Sequence, residues 1–374
     1  MQINLDDFGQ WAEFAPLTLT RPVGELRMGG LTNAERIQLI DSDIEVGYCT
    51  EDYLSKLYPA IEGATRVNSC CLLDEMILQA IAELPENSKL IQGNSTIAIN
   101  GNGANDVNYS YPAIIIDKRW DLYRMNSEAI ALDFQLLTAG KMSAPISESN
   151  QIIGDPDLVF LEAGAEVEAS ILNTNSGPIY LGVNAEIMEG SIVRGGLMMA
   201  ESSALKLGAK IYGPTTLGPH CKVGGEVNNS IFQAYSNKGH DGFLGNSLIG
   251  EWCNLGADTN TSNLKNNYGM VKTYSYKTNE LVQTDVQFMG LTMGDHSKCA
   301  INTIFNTATV VGVCSNLFSA GFPDKYIKSF RWGDNDTAFN FDKALEVATN
   351  MMGRRGKELK DNEIDILRYI ADNK

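Results

Sequence analysis

Three histidines occur in the 374-residue chain, and one stands in a stretch built for exposure: Ser236-Asn237-Lys238-Gly239-His240-Asp241-Gly242. An imidazole in a polar, glycine-bracketed loop can serve as a general base near neutral pH. Asp241 beside it can orient the ring, and Lys238 can attract a phosphate. A second polar stretch runs Asn260-Thr261-Ser262-Asn263-Leu264-Lys265-Asn266-Asn267-Tyr268-Gly269 and reaches Lys272. Its carboxamides and flanking lysines suit hydrogen bonding to a sugar; an asparagine ladder within a repeat reads equally well. Near the N-terminus, Thr18-Leu19-Thr20-Arg21-Pro22 leads to Leu26-Arg27-Met28-Gly29-Gly30. Arg21 and Arg27 beside glycines can hold a phosphate, or can simply be solvated. Asp117 follows the strand-like Ile114–Ile116, a place where a carboxylate can hold Mg²⁺. His296 is expected to face outward from its element, in a surface or intersubunit role, and His220 after Pro219 has no assigned role.

The elements that must position these groups are announced by a period of six. Leu181, Ile187, Val193, Met199, Leu205, Ile211, Leu217 and Val223 occupy eight successive slots. Neither a helix nor an ordinary strand has that period. It fits a solenoid of short flat strands in which each hexad forms one face of a triangular coil and sends one apolar residue inward. The pattern begins at Ile153, Val159, Ala165 and Ile171, and returns at Ile249, Leu255 and Thr261 and at Met293, Cys299, Phe305, Val311 and Leu317. Two interruptions, 226–245 and 262–288, read as insertions leaving one edge, and such loops carry function. Residues 1–145 read as mixed α/β, with buried strands at Ile44–Tyr48 and Ala113–Ile116 and helices at Glu75–Leu84 and Ser127–Leu137. Residues 146–320 form the solenoid. Residues 321–374 are a connector and a helical cap with helices at Asp342–Gly353 and Asn362–Asn373.

Composition narrows the partners. The chain carries 29 Lys+Arg against 46 Asp+Glu, a net charge of −17. That disfavours nucleic acid and anionic membranes. No apolar run approaches the roughly 18 residues of a membrane span. Seven irregularly spaced cysteines without a C-x-x-C pair suggest reduced thiols in the cytoplasm.

The strings Leu19-Thr20-Arg21-Pro22-Val23, Thr50-Glu51-Asp52-Tyr53-Leu54, Asn237-Lys238-Gly239-His240-Asp241-Gly242-Phe243-Leu244-Gly245 and Asn263-Leu264-Lys265-Asn266-Asn267-Tyr268-Gly269, set in hexapeptide coils, carry a family likeness. The chain resembles the bifunctional UDP-N-acetylglucosamine pyrophosphorylase/glucosamine-1-phosphate N-acetyltransferase family, in an alternative bacterial branch described as sugar nucleotidyltransferases. The resemblance implies an α/β nucleotidyltransferase-like domain followed by a left-handed parallel β-helix, in a homotrimer with each site between neighbouring β-helices. It implies acetyl transfer from acetyl-CoA to the amino group of a sugar phosphate such as glucosamine 1-phosphate, in nucleotide-sugar and cell-envelope precursor synthesis. The family's catalytic His falls on His240. Its sugar-binding Asn and Glu fall on Asn263 and Glu226, and its downstream Lys on Lys272. The small residue that meets the pantetheine arm falls on Ala257. Leu264 stands where the family has Tyr, and the family's Gly-rich phosphate loop is absent from 1–145. Two other functions remain open: nucleotidyl transfer by the N-terminal domain with Mg²⁺ and UTP or dTTP, the β-helix being a scaffold, and a non-catalytic module that binds sugar nucleotides.

Overall fold

The computed structural model describes residues 1–318, 320–333 and 337–373. The eight residues from Leu181 to Val223 that set the period are each at most 1% exposed and form the axis of a parallel solenoid. Successive coils pair in parallel at a displacement of three hexads, as in Ile179↔Leu197↔Thr215. Three faces result. A nine-stranded face runs from Val159–Leu161 to Tyr326–Ile327, and an eight-stranded face from Glu166–Val167 to Asn316–Leu317. The third has six strands, Gln151–Ile153 to Phe243–Gly245, followed by the pair Asn260–Thr261 and Ile304–Phe305.

Two readings of the repeat change. In the first coils Val159 and Ala165 do meet the interior, together with Ile152, Leu161, Val167 and Leu172, whereas Ile153 is 38% exposed. The longer coil segment across Asn173–Pro178 displaced the expected register. The stretch 226–245 is not an insertion. Its strands Glu226–Asn228, Ile231–Phe232, Asn237–Lys238 and Phe243–Gly245 continue the three faces in order. The inward residues are Val227, Phe232, Lys238 and Leu244. Shortened corners and one lysine in an interior slot hid the period.

The N-terminal domain has a six-stranded sheet with strands β1 (Gln2–Asp6), β2 (Glu45–Cys49), β3 (Thr65–Asn68), β4 (Ser88–Gln92), β5 (Ser95–Asn100) and β6 (Asn105–Asn108), in the order β2-β1-β3-β5-β4-β6. Ala113–Ile116 makes only an isolated bridge, Cys71 to Ile115, because the chain leaves the sheet there. Helix α1 (Asn33–Ile40) starts with a capping box in which Thr32 and Glu35 bond each other's backbone N–H. Helix α2 (Glu75–Ala82) is capped by Asp74. Helix α3 (Asn126–Thr138) lays Ile130 and Phe134 on Phe160, Tyr180 and Met198 of the nine-stranded face. That face is therefore buried on both sides: Ile179–Leu181, Leu197–Met199 and Thr215–Leu217 have no exposed residue. The third face alternates instead, with Ile192 46% exposed.

The insertion at 262–288 is real. It forms an antiparallel hairpin, Lys272–Ser275 with Glu280–Gln283, that clasps the N-terminal domain. Arg119 donates to Thr273 Oγ1 (2.8 Å) and Tyr274 O (2.6 Å), and Tyr123 donates to Phe288 O (2.8 Å). The two C-terminal helices are α4 (Phe341–Gly353) and α5 (Asp361–Asp372). Their Ala344, Ile366, Leu367 and Ile370 pack on Val313, Cys314 and Phe330 at a far corner of the solenoid and on Leu19 and Leu54 of the N-terminal domain.

One buried ion cluster joins the domains. Arg21 pairs with Glu251 and Asp295, and Thr20 donates to Asp295 (2.7 Å). Removing the guanidinium would leave the Asp295 carboxylate buried without its counter-charge. Arg21→Ala is therefore predicted to destabilise the protein by about 3–5 kcal/mol, read from urea unfolding; a loss under about 1 kcal/mol would contradict this role.

Candidate functional site

The eight-stranded face carries the chemistry. Because alternate residues of a strand point to opposite sides, Lys222, Asn237, Asn254 and Lys298 form an outward column while Val223, Lys238, Leu255 and Cys299 point inward. Helix α4 runs beside this column. Between them lies a groove of about 840 Å³, lined by Lys206, Lys222, Lys298, Arg354, Arg355, His240 and Ala257 among others. No aspartate or glutamate is among the described residues that line it. In a chain of net charge −17, five fixed cations without a carboxylate form a local anion site. Partial burial and the neighbouring Arg355 and Lys206 hold the Lys222 ammonium below the usual lysine range. The cations tolerate one another's repulsion here, which is the electrostatic mark of a place meant for a polyanion. Lys298 donates to His296 O (2.8 Å), and burial lowers its pKa.

Two rings, Tyr235 and Trp252, line the groove. They belong to a stack of His220, Tyr235, Trp252 and His296 in successive coils, with centroids 5.1, 4.1 and 6.4 Å apart. Each sits at the same corner with left-handed φ of 54–59°, a conformation that costs a side-chain-bearing residue energy. Each N–H donates to the coil before it, as His296 N does to Glu251 O (2.8 Å). His296 thus ends this stack, half-buried, and lines a separate cleft with Arg21, Glu251 and Asp295. Burial pushes its pKa down to about 3, so the ring stays neutral.

The expected site residues separate. His240 and Ala257 line the groove together. His240 and Asp241 are exposed. Lys238 does not reach a ligand: it is 1% exposed, with its ammonium bonded to backbone carbonyls inside the coil. Glu226 and Asn263 lie off the groove, where Glu226 accepts from Tyr212 OH (2.6 Å) and Asn263 donates to Asn246 Oδ1 (2.8 Å). Lys265 donates to Met270 O (3.3 Å) within the insertion, and Lys272 is an exposed residue of the hairpin. Arg354 and Arg355, Lys206, Lys222 and Lys298 were not expected at the site. The glycines flanking Arg354-Arg355 were the only signal in the sequence.

The phosphate-binding reading of the N-terminal loop is corrected by its partners. Arg21 is consumed by Glu251 and Asp295. Arg27 is bidentate to Glu35 (2.7 and 2.8 Å), and its N–H groups reach Gln233. The amides a phosphate would need are also engaged: Gly29 N donates to Asn126 Oδ1 (2.7 Å), and Gly30 N and Leu31 N donate to Asp133 Oδ2 (2.7 and 3.0 Å). Asp117 is exposed and edges a cleft of about 230 Å³ with Asn68, Ser95 and Thr96. Among the described residues no three metal-ligating side chains converge, so Asp117 stands at this cleft without a preformed cluster of metal ligands around it.

Residues 3–142 match the family model described as sugar nucleotidyl transferase. The match spans the N-terminal domain. A stretch of 117 residues, 31% of this chain, is 27% identical to Bifunctional protein GlmU of Trichodesmium erythraeum (strain IMS101) and spans 21% of that relative's length. Among solved structures, the polySia-specific acetyltransferase NeuO aligns with 55% of this chain and 98% of its own at 10% identity and TM-score 0.30. The Arabidopsis UDP-N-acetylglucosamine acyltransferase aligns with 57% of this chain and 78% of its own at 13% identity and TM-score 0.26. Within the matched stretch, the loop at 18–31 is bound into the domain junction. No helix among the described residues is long and apolar enough to cross a membrane.

The charge of the groove predicts that adenosine 3′,5′-bisphosphate binds there and weakens as salt is raised. Arg355→Glu should weaken it by at least about tenfold, the worth of one charge-assisted contact. Titration calorimetry reads both effects, and salt-independent binding unchanged in R355E would contradict the assignment.

Proposed function

We propose that the chain is an acetyl-CoA-dependent N-acetyltransferase acting on an amino-sugar phosphate of the glucosamine 1-phosphate kind. The observation that carries this reading is a cationic groove with an exposed histidine on its wall. The phosphates of an acyl-CoA match Lys206, Lys222, Arg354 and Arg355, and its pantetheine arm would run along the flat strand surface toward Ala257 and His240. The sugar amine attacks the thioester carbonyl, the C–N bond forms as the C–S bond breaks, and the thiolate leaves as CoA. His240 takes the proton the amine loses, and Asp241 is within one residue to orient the ring. Backbone amides near Ala257 are candidates to hold the oxyanion.

Glu226, Asn263 and Lys272 are the groups the resemblance offers for the sugar phosphate. They lie away from the groove within one chain, which suits a homotrimer in which the acceptor site is completed by a neighbour. The mainly exposed third face of the solenoid is available for such an assembly.

A nucleotidyl-transfer reading rests on the N-terminal family match. Against it stand the occupied amides of Gly29–Leu31. Sugar-nucleotide binding without turnover is the remaining alternative.

His240→Ala is predicted to keep a trimer of three 40.8 kDa chains by light scattering and to lower acetyl transfer by at least about a hundredfold. His296→Ala should cost less. Equal and small effects of the two, or a stable monomer, would count against the reading. Pyrophosphate release with UTP or dTTP, Mg²⁺ and sugar 1-phosphates should be weak or absent while acetyl transfer persists; robust release would restore the nucleotidyl-transfer reading.

A further inference from the structure

One interior slot of the solenoid is filled by a cation. The inward column of the eight-stranded face runs Val167, Ile187, Leu205, Val223, Lys238, Leu255, Cys299, Leu317, one residue per coil. Lys238 alone of these carries an amine, and it is 1% exposed. Its ammonium donates to three backbone carbonyls, those of Gly224 (3.1 Å), His240 (2.6 Å) and Asp241 (3.2 Å). Three N–H donors meet three acceptors, so the buried cation is satisfied without a carboxylate.

The acceptors are there because the coils approach closely. A Cβ on Gly225 would lie 2.9 Å from the carbonyl oxygen of His240 and 2.8 Å from that of Gly242. Gly242 has φ +113°, and a Cβ there would lie 2.2 Å from Thr259 O. The segment 239–242 is thus pressed between two neighbouring coils, with the carbonyls of His240 and Asp241 within reach of an interior amine. Unbonded, the His240 carbonyl would lose its solvation without compensation, while that of Asp241 also accepts from Asp258 N (3.0 Å).

We propose that Lys238 is a positioning residue for His240: by holding the carbonyls of residues 240 and 241 from inside the coil, its ammonium sets the direction in which the imidazole enters the groove. The inference rests on the reading of His240 as the base. A base acts only within hydrogen-bond reach of the proton it takes, and a displacement of about 1 Å can cost about a hundredfold in rate. The chain spends an interior slot on this contact where seven other coils place an apolar residue or a cysteine.

Titration supports the same role. Burial lowers the Lys238 amine to about 8, with Asp241, Asp258 and the Cys299 thiol acting in the opposite direction. Asp241 and His240 are the other titratable groups in this segment, and Asp258 and Cys299 face the amine from the neighbouring coils. Above about pH 8 the neutral amine keeps two donors for three carbonyls, so one restraint on the His240 segment is lost and the rate should fall on the alkaline side.

The test uses the full chain with Lys238→Met, which fits an apolar slot, and Lys238→Gln. Both are expected to melt cooperatively, to lower kcat by about 10- to 100-fold, and to leave KM for acetyl-CoA within about twofold. The alkaline fall in kcat should disappear with them. The chain has three histidines, so imidazole NMR gives a second readout independent of turnover: the His240 resonances should move while those of His220 and His296 stay. Wild-type kcat with an unmoved His240 signal in either folded variant would overturn the proposal. If neither variant folds, the wild-type His240 resonance decides: it should show an inflection from Lys238 near pH 8, and its absence overturns the proposal. Failure of His240→Ala to affect transfer would sink the reading of the base, whereas its success beside an active K238M would sink only the positioning role.

Discussion

The stacking of one coil on the next fixes nearly everything else in this protein. Each coil repeats its three short strands at the spacing of parallel backbone pairing, about 4.8 Å. Residues that share a slot therefore form straight columns, inward or outward. The outward column Lys222–Asn237–Asn254–Lys298, the stacked rings at the corner and the inward aliphatic axis follow from that single constraint. A functional group in such a frame is placed by its slot rather than by a flexible loop, which is why an interior lysine can govern the backbone of a surface histidine.

The three faces of the solenoid have different fates. The nine-stranded face is sealed by helix α3 and the hairpin of the 262–288 insertion, and its strands are buried on both sides. The eight-stranded face is flanked by α4 and becomes a groove whose cations come from both the coils and the helix. The third keeps an alternating pattern with exposed aliphatic residues. The N-terminal domain thus acts on the solenoid first as a cover, locked by Arg21 to Glu251 and Asp295. The loop at 18–31 is the part used for that lock.

Much of the frame could be read from the chain. The eight slots from Leu181 to Val223 all point inward, and the four expected helices lie within a residue or two of their places, while α1, of the same length as α2, was not anticipated. What failed did so for identifiable reasons. A lysine at an inward position and corners shortened near Val227 and Phe232 made a continuous solenoid look interrupted at 226–245. Arg21 looked free because its carboxylates stand 230 and 274 residues away in the chain, and Arg27 because a capping glutamate doubles as its partner. The groove itself was invisible to composition. Its lysines and arginines are scattered from 206 to 355 in an acidic sequence, and only the fold gathers them. His240 and Ala257 could be paired in advance through the family likeness; their shared groove could not.

The account stands or falls on where an acyl donor lies. The direct measurement is an experimental structure of the full chain with acetyl-CoA. The account predicts the nucleotide phosphates against Lys222, Arg354 and Arg355, and the thioester beside His240 and Ala257. Electron density for the donor at the N-terminal cleft near Asp117, or anywhere that leaves the groove empty, would contradict it.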